Sequence, residues 1–252
     1  MVMKIKFPLY VLVLLIFSCA GEQKLAVETQ EFKTTACDAC LDAQLNLPRF
    51  TDETDLAKTI NSTLDAEVIA LLNFNDEVSL NSVGDALEAF EASFTELKTQ
   101  YGDDMIPWEA NIEGKVFYET DSLVTLQMQT YMFTGGAHGY SAVNFLNFSK
   151  QAALLLAPED LFVALDEFKK LAEQEFRKQE KIPADKPINH TGLMFEDDVF
   201  QLPANIGYGP EGLLLWYNQY EIASYADGPI TLTLPYEKVN PYLVVKGKLA
   251  NK

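Results

Sequence analysis

Apolar residues fall along this chain in three ways: one unbroken run near the start, then recurrence at helical intervals, then strict alternation. The run, Phe7 to Phe17, is followed by Leu56, Ile60, Leu64, Val68, Leu71 and Leu72, a stripe at three-to-four spacing that predicts a helix from about Asp55 to Asn73. A second helix is predicted from Ser82, which with Asp85 makes a short variant of the capping box, through Leu87, Phe90, Phe94, Leu97 and Tyr101 to Gly102. Beyond Pro107-Trp108 the period changes to two. Asn111 to Glu119 and Ser122 to Phe133 alternate around Thr120-Asp121 as a hairpin, with Leu126, Met128, Thr130 and Met132 opposite Gln127, Gln129 and Tyr131. Ser141 to Phe148 is again extended.

A third helix is expected from about Pro158 to Lys181, turning Leu161, Leu165, Phe168, Leu171 and Phe176 inward, and Pro183 and Pro187 follow it. Val199 to Ala204, Gly212 to Tyr217 and Ile230 to Leu234 then read as strands, with Gly207, Gly209 and Pro210 shaping the turn between the first two, and Pro235 to Tyr242 as a short closing helix. Leu45 to Phe50 reads as a short strand that Pro48 assigns to a sheet edge. Helices and strands come in blocks, without regular βα alternation or a solenoid repeat. The expected class is α+β, helices packed on antiparallel sheets.

The opening run changes the picture of where the chain resides. Lys4 and Lys6 precede eleven apolar residues that stop at Ser18-Cys19, whereas a membrane-spanning helix needs about 20. A charged start, a short apolar core and a small residue before a cysteine, with Ile16 three places upstream, resemble a bacterial lipobox. Residues 1–18 are then an export signal and Cys19 carries the lipid in the cell envelope. An ordinary secretory signal with an incidental cysteine is the other reading. The polar segment 19–44 reads as a tether, followed by an amino-terminal half, 45–150, and a carboxy-terminal half, 151–252.

Charge narrows the partners. The formal net charge of −18, which becomes −20 without the signal's two lysines, repels phosphate backbones and argues against nucleic acid. It favours solubility or a basic partner. With Cys19 assigned to the lipid, Cys37 and Cys40 remain as an even pair spaced to close a small disulfide in an oxidising compartment. Redox chemistry would want a strand before the motif and a helix after it, and a zinc site would want two further ligands.

Among chemical candidates, His138 stands out in Thr134-Gly135-Gly136-Ala137-His138-Gly139, where three glycines in five residues demand unusual backbone or close approach. A histidine there serves as a general base if a carboxylate orients it, as a ligand contact, or as a hydrogen-bonding strut. Tyr217, Tyr220 and Tyr225, near Trp216, add aromatic surface suited to sugar rings or an interface. His190 reads as a loop residue. No serine elbow, His-Glu-x-x-His pair or Walker loop occurs, so no cofactor or metal is expected.

Two segments, Tyr131 to Gly139 and Tyr217 to Pro229, together resemble the domain pair of the PdaC peptidoglycan deacetylases, where it lies beside the catalytic domain, and of RsiV-type anti-sigma factors. Pro107-Trp108 and Glu159-Asp160-Leu161-Phe162 support the likeness, which spans about Leu45 to Tyr242, while Ser149-Lys150-Gln151 stands where that family turns through a glycine. The resemblance implies two interlocked α+β halves, the second similar to a small subdomain of heat-shock ATPases. It implies recognition of wall glycan or of a basic protein such as a muramidase, the membrane being met only through the lipid. The ligand surface expected from the glycine loop and the tyrosines comprises Thr134, Gly135, Gly136, His138, Tyr140, Tyr220 and Tyr225. An enzyme acting on wall polysaccharide with His138 as general base is the alternative, and a purely structural accessory is a third reading.

Overall fold

Polar and apolar alternation builds one large sheet, and helical stripes cover one of its faces. In the computed structural model, which describes residues 24–34, 40–75, 78–102 and 104–249, six strands lie in sequence order: β1 (Val27–Lys33), β2 (Asp42–Phe50), β3 (Glu109–Glu119), β4 (Leu123–Phe133), β5 (Tyr140–Ser149) and β6 (Leu154–Leu156). All neighbours are antiparallel except β2 and β3, which run parallel, so this sheet is mixed. The crossover between β2 and β3 consists of α1 (Asp55–Leu72) and α2 (Val83–Tyr101). Thr54 and Ser82 cap the two helix starts by accepting the amide hydrogens of Ala57 and Asp85, and Asn73 and Gly102 end them. Ile60, Leu64 and Phe90 pack there on Leu45, Ile112, Leu126 and Phe148.

The second half is a three-stranded antiparallel sheet, β7 (Asn205–Tyr208), β8 (Leu213–Tyr217) and β9 (Ile230–Leu234), backed by α3 (Leu165–Gln179) and followed by the short α4 (Tyr236–Val239). Its core of Phe168, Phe176, Leu215, Tyr217 and Leu234 also takes in Tyr118 and Leu123 from the first half. The α+β class holds, and the halves interlock. Among the described residues no helix is long and apolar enough to cross a membrane.

Several expectations are corrected. The polar segment 19–44 read as a tether contains the strand Val27–Lys33, paired along its whole length with β2, and the first residues of β2 itself. β2 is therefore internal. Pro48 is accommodated because the ladder to β3 stops at Asn46 and Glu113, and beyond it Gly114 leaves the room that a Cβ, 2.7 Å from the Pro48 ring, would remove. The third helix starts late: Pro158–Leu161 is one 3₁₀ turn, and amides of Val163 and Val244 then bond Tyr242 and Leu161 carbonyls, holding Phe162 extended against Leu243. Val199 to Ala204 forms no ladder, because Pro203 lacks a donor while the Tyr217 hydroxyl and the Glu221 carboxylate take the Gln201 carbonyl and the Ala204 amide. Gly207 lies inside β7, where a Cβ would meet the Phe145 ring at 2.5 Å. The signal, Cys19 and Cys37 lie outside the described residues. Cys40 is disulfide-bonded, and its partner lies outside them too.

The halves meet through carboxamides. The Asn147 side chain of β5 donates to the Ile206 carbonyl at 2.7 Å and accepts from the Tyr208 amide at 3.2 Å and the Thr125 hydroxyl at 2.9 Å, all buried. From the second half, Asn218 donates to the Val143 carbonyl at 3.0 Å and accepts its amide at 2.9 Å. Asn147→Ala would orphan three buried polar groups at about 1 kcal/mol or more each. Urea unfolding of that variant should show a loss of about 2–4 kcal/mol.

Buried phenols add a pH dependence. The Tyr208 hydroxyl bonds the Val245 carbonyl, and Tyr236 both donates to the Gly209 carbonyl and accepts its amide. Burial raises the hydroxyl pKa of Tyr208, Tyr217 and Tyr236, with Tyr118 adding to the first and third and Glu221 to the second. Folding thus favours the protonated phenols: their contribution is complete below the ordinary value of about 10 and is lost as pH climbs from there toward the folded values. Denaturation followed from about pH 8 to about pH 11 should show stability falling above about pH 10, less steeply in Tyr208→Phe.

Candidate functional site

The face of the large sheet turned away from α1 and α2 is only half covered by the second half. The uncovered part is an open groove of about 400 Å³. Its floor carries Asn111 on β3, Gln129 and Tyr131 on β4 and Val143 on β5, which share this face by their two-residue spacing and register. Trp216 and Asn218, at the end of β8, form its wall. The Trp216 indole donates to Asn218 Oδ1 at 3.1 Å, so the amide that grips Val143 also fixes the indole. Gln219 Oε1, also at the wall, is shielded from solvent without a hydrogen-bond partner.

The glycine-rich loop lies beside the groove, with Gly139 against the ring of Tyr131. Gly135 and Gly136 have φ of 109° and 92° with open space around them, so the backbone angle itself requires glycine there. Gly139 is needed for room instead, since a Cβ would lie 2.5 Å from the Tyr131 ring. So shaped, the loop carries His138 across to the second half. Its ring lies face to face with Tyr225, centroids 4.0 Å apart at 19°, and Nε2 stands 3.3 Å from the Tyr220 hydroxyl. Nδ1 is 3.0 Å from the Gly139 carbonyl, which assigns the proton to Nδ1 and makes the Tyr220 hydroxyl the donor to Nε2.

Tyr220 reaches this position from a left-handed backbone, φ 67°, inside a turn held from several sides. Glu221 accepts the Asn218 amide at 2.8 Å and the Ala204 amide at 3.0 Å, and its own amide bonds the Asn218 carbonyl at 3.1 Å. Ser224 and Asp227 form a reciprocal cap that orients Tyr225. The Tyr140 hydroxyl reaches toward the Gln219 carbonyl at 3.5 Å, and burial followed by the Glu221 charge raises its pKa.

Of the residues expected at a ligand surface, the fold brings His138, Tyr140, Tyr220 and Tyr225 together beside the groove. Thr134, Gly135 and Gly136 stand exposed at the loop tip. Tyr217 is buried core, and His190 lies in a separate 3₁₀ turn. The sequence reading missed Asn111 and Gln129, whose signal was the polar half of the strand alternation, and Asn218, which lies just past β8 and carries no such signal. Among the described residues, no group of three or more His, Cys, Asp or Glu side chains is placed to hold a metal ion.

Two family models match, one described as "Deacetylase PdaC" over residues 35–141 and one as "Protein of unknown function (DUF3298)" over residues 157–237. The chain carries the PdaC–DUF3298 domain pair. Two solved structures share the fold. A DUF3298 family protein from Pseudomonas aeruginosa PAO1 is 20% identical with a TM-score of 0.64, the match covering 88% of this chain and 95% of that one. A DUF3298 family member from Bacteroides fragilis NCTC 9343 is 21% identical with a TM-score of 0.69, covering 88% and 94%. No curated protein matches. Asn111, Gln129, Tyr131 and His138 fall in the PdaC segment, whereas Trp216, Asn218, Tyr220 and Tyr225 fall in the DUF3298 segment. The groove thus exists only where the pair is joined.

The His138–Tyr225 stack joins those segments directly. A double-mutant cycle on His138→Ala and Tyr225→Ala, read by urea unfolding, should return a coupling of about 0.5–1.5 kcal/mol. Strict additivity would mean that the two rings do not meet in solution.

Proposed function

We propose that this protein is a bacterial envelope lipoprotein, anchored through Cys19, that recognises cell-wall glycan in the groove without cleaving it. The observation that carries this reading is the groove's lining. Carboxamides of Asn111 and Gln129 offer donors and acceptors suited to sugar hydroxyls and acetamido groups, and Tyr131 and Trp216 offer faces for pyranose C–H stacking. Glu113 is the single charged side chain among the lining residues, which suits a neutral N-acetylated amino sugar better than a polyanion.

The position of His138 supports recognition over catalysis. Both ring nitrogens are engaged, by the Gly139 carbonyl and the Tyr220 hydroxyl, and neither partner is the carboxylate that orients a histidine general base. The likeness to a model named for a deacetylase covers residues 35–141, and the groove needs residues outside that segment. Export rests on the signal and lipobox of residues 1–19, and the acidic charge argues against nucleic acid.

Calorimetry with chitin-type and wall-derived N-acetylated oligosaccharides tests the reading. Saturable binding is expected, with Gln129→Ala weakening it about fivefold, equivalent to about 1 kcal/mol. Saturable binding of a basic muramidase in place of any glycan would move the assignment to a protein receptor. Oligosaccharide turnover by the wild type that is lost in His138→Ala would replace recognition with catalysis.

A further inference from the structure

The strand that replaces the expected tether fixes which way the body faces. The Leu25 amide donates to Glu119 Oε1 at 3.1 Å, and the Ala26 amide donates to Asp52 at 2.8 Å. Both bonds put the start of β1 at the end of the large sheet where β3 turns into β4. Glu119 also pairs with Lys150 at 2.6 Å there, and the Lys150 amide bonds the Ser122 carbonyl. This is the base. From it β4 runs eleven residues, Leu123–Phe133, to the glycine loop, a rise of about 33 Å at 3.3 Å per residue. The register confirms the polarity: Val27 pairs with Phe50 at the base, while Lys33, Gln44, Asn111 and Tyr131 lie toward the loop end with the groove.

Five residues, Ala20 to Lys24, lie between Cys19 and Leu25, a path of six Cα–Cα steps. Fully extended, they reach about 20 Å, and a flexible chain of that length spans less. A lipid at Cys19 therefore holds the base close to the bilayer, on a leash shorter than the sheet. The net charge, −20 once the signal's two lysines are gone, repels anionic headgroups and opposes the body lying flat.

We infer that the protein stands on its membrane by the Leu25–Glu119–Ser122 end of the large sheet and presents the groove and the His138 loop at the far end, facing away from the bilayer. This stance rests on the lipid-anchor reading. It makes a polymer arriving from the wall side the accessible occupant, and it puts Lys248 of the second half and Asp121 of the β3–β4 turn, paired at 3.8 Å, near the headgroups.

The test uses the full-length acylated protein in phosphatidylglycerol–phosphatidylethanolamine vesicles doped with a nickel-chelating lipid. Fluorophores are placed one at a time at Ser122→Cys, in the exposed base turn, and at Ala137→Cys, in the exposed loop, with the Cys40 disulfide kept oxidised. Headgroup nickel should quench the Ser122 label about threefold or more above the Ala137 label, given their separation of about 33 Å. Equal quenching, or stronger quenching at Ala137, on protein whose Cys19 acylation is verified by mass spectrometry overturns the stance and leaves the anchor intact. Mass spectrometry that finds no acyl chain on Cys19 overturns the stance and the anchor reading together.

Discussion

Two asparagine carboxamides, exchanged in opposite directions across one strand, hold this molecule in its shape. β5 is covered along its outer edge by β6 only from Asn147 to Ser149, and the backbone groups beyond would otherwise be bare. Asn218 supplies a donor and an acceptor to Val143, as a neighbouring strand would, and Asn147 does the same for Ile206 and Tyr208 of β7. A carboxamide suits this role because it carries both kinds of group in one plane. The two sheets are thereby locked without being continuous. The Phe145 ring fills the space that Gly207 leaves and packs edge-on to Trp216, adding apolar contact to the polar latch.

That junction explains why the groove exists where it does. The second half settles over the base end of the sheet, where Tyr118 and Leu123 enter its core, and it walls the groove with Trp216, Asn218, Gln219 and Pro229. Beyond that point the same sheet face continues with Asn111, Gln129 and Tyr131 uncovered. The latch and the wall share one residue, so the orientation of the Trp216 indole is set by the docking itself. The groove is a consequence of packing and is not an appendage to it.

Much of the fold was legible because its signals are local. The α1 and α2 stripes, Ser82 and Gly102 at the ends of α2, the β3–β4 hairpin and β9 depend on periodicity and capping that neighbouring residues carry. β1 was hidden because five of its seven residues, Glu28 to Lys33 without Phe32, are polar, and all seven are exposed or half-buried. An edge strand that buries neither face shows no alternation. Pro48 misled for a related reason: the rule concerns a missing donor, and the donor is not needed once the β3 ladder has ended. Of the site, the loop and the tyrosines were visible as motifs. Asn147 and Asn218 were not, since their partners lie 59 to 75 residues away and no local pattern marks a side chain that bonds a distant backbone.

The His138 corner shows how such a site is stabilised against its own strain. Left-handed backbone at Tyr220 costs about 1–2 kcal/mol in a residue with a Cβ, and Gly135 and Gly136 remove the same cost on the facing loop. Glu221 offsets it by accepting two amides with a carboxylate, bonds stronger than neutral ones. The turn is thus over-determined before the loop arrives. What the loop then adds is the His138 ring, stacked on Tyr225 and hydrogen-bonded to Tyr220, whose removal would free both tyrosines without disturbing the Asn218 latch below. Rigidity therefore resides in the groove wall, while the aromatic clasp beside it is held by one stack and one hydrogen bond. The clasp can thus open at small cost while the wall keeps its geometry.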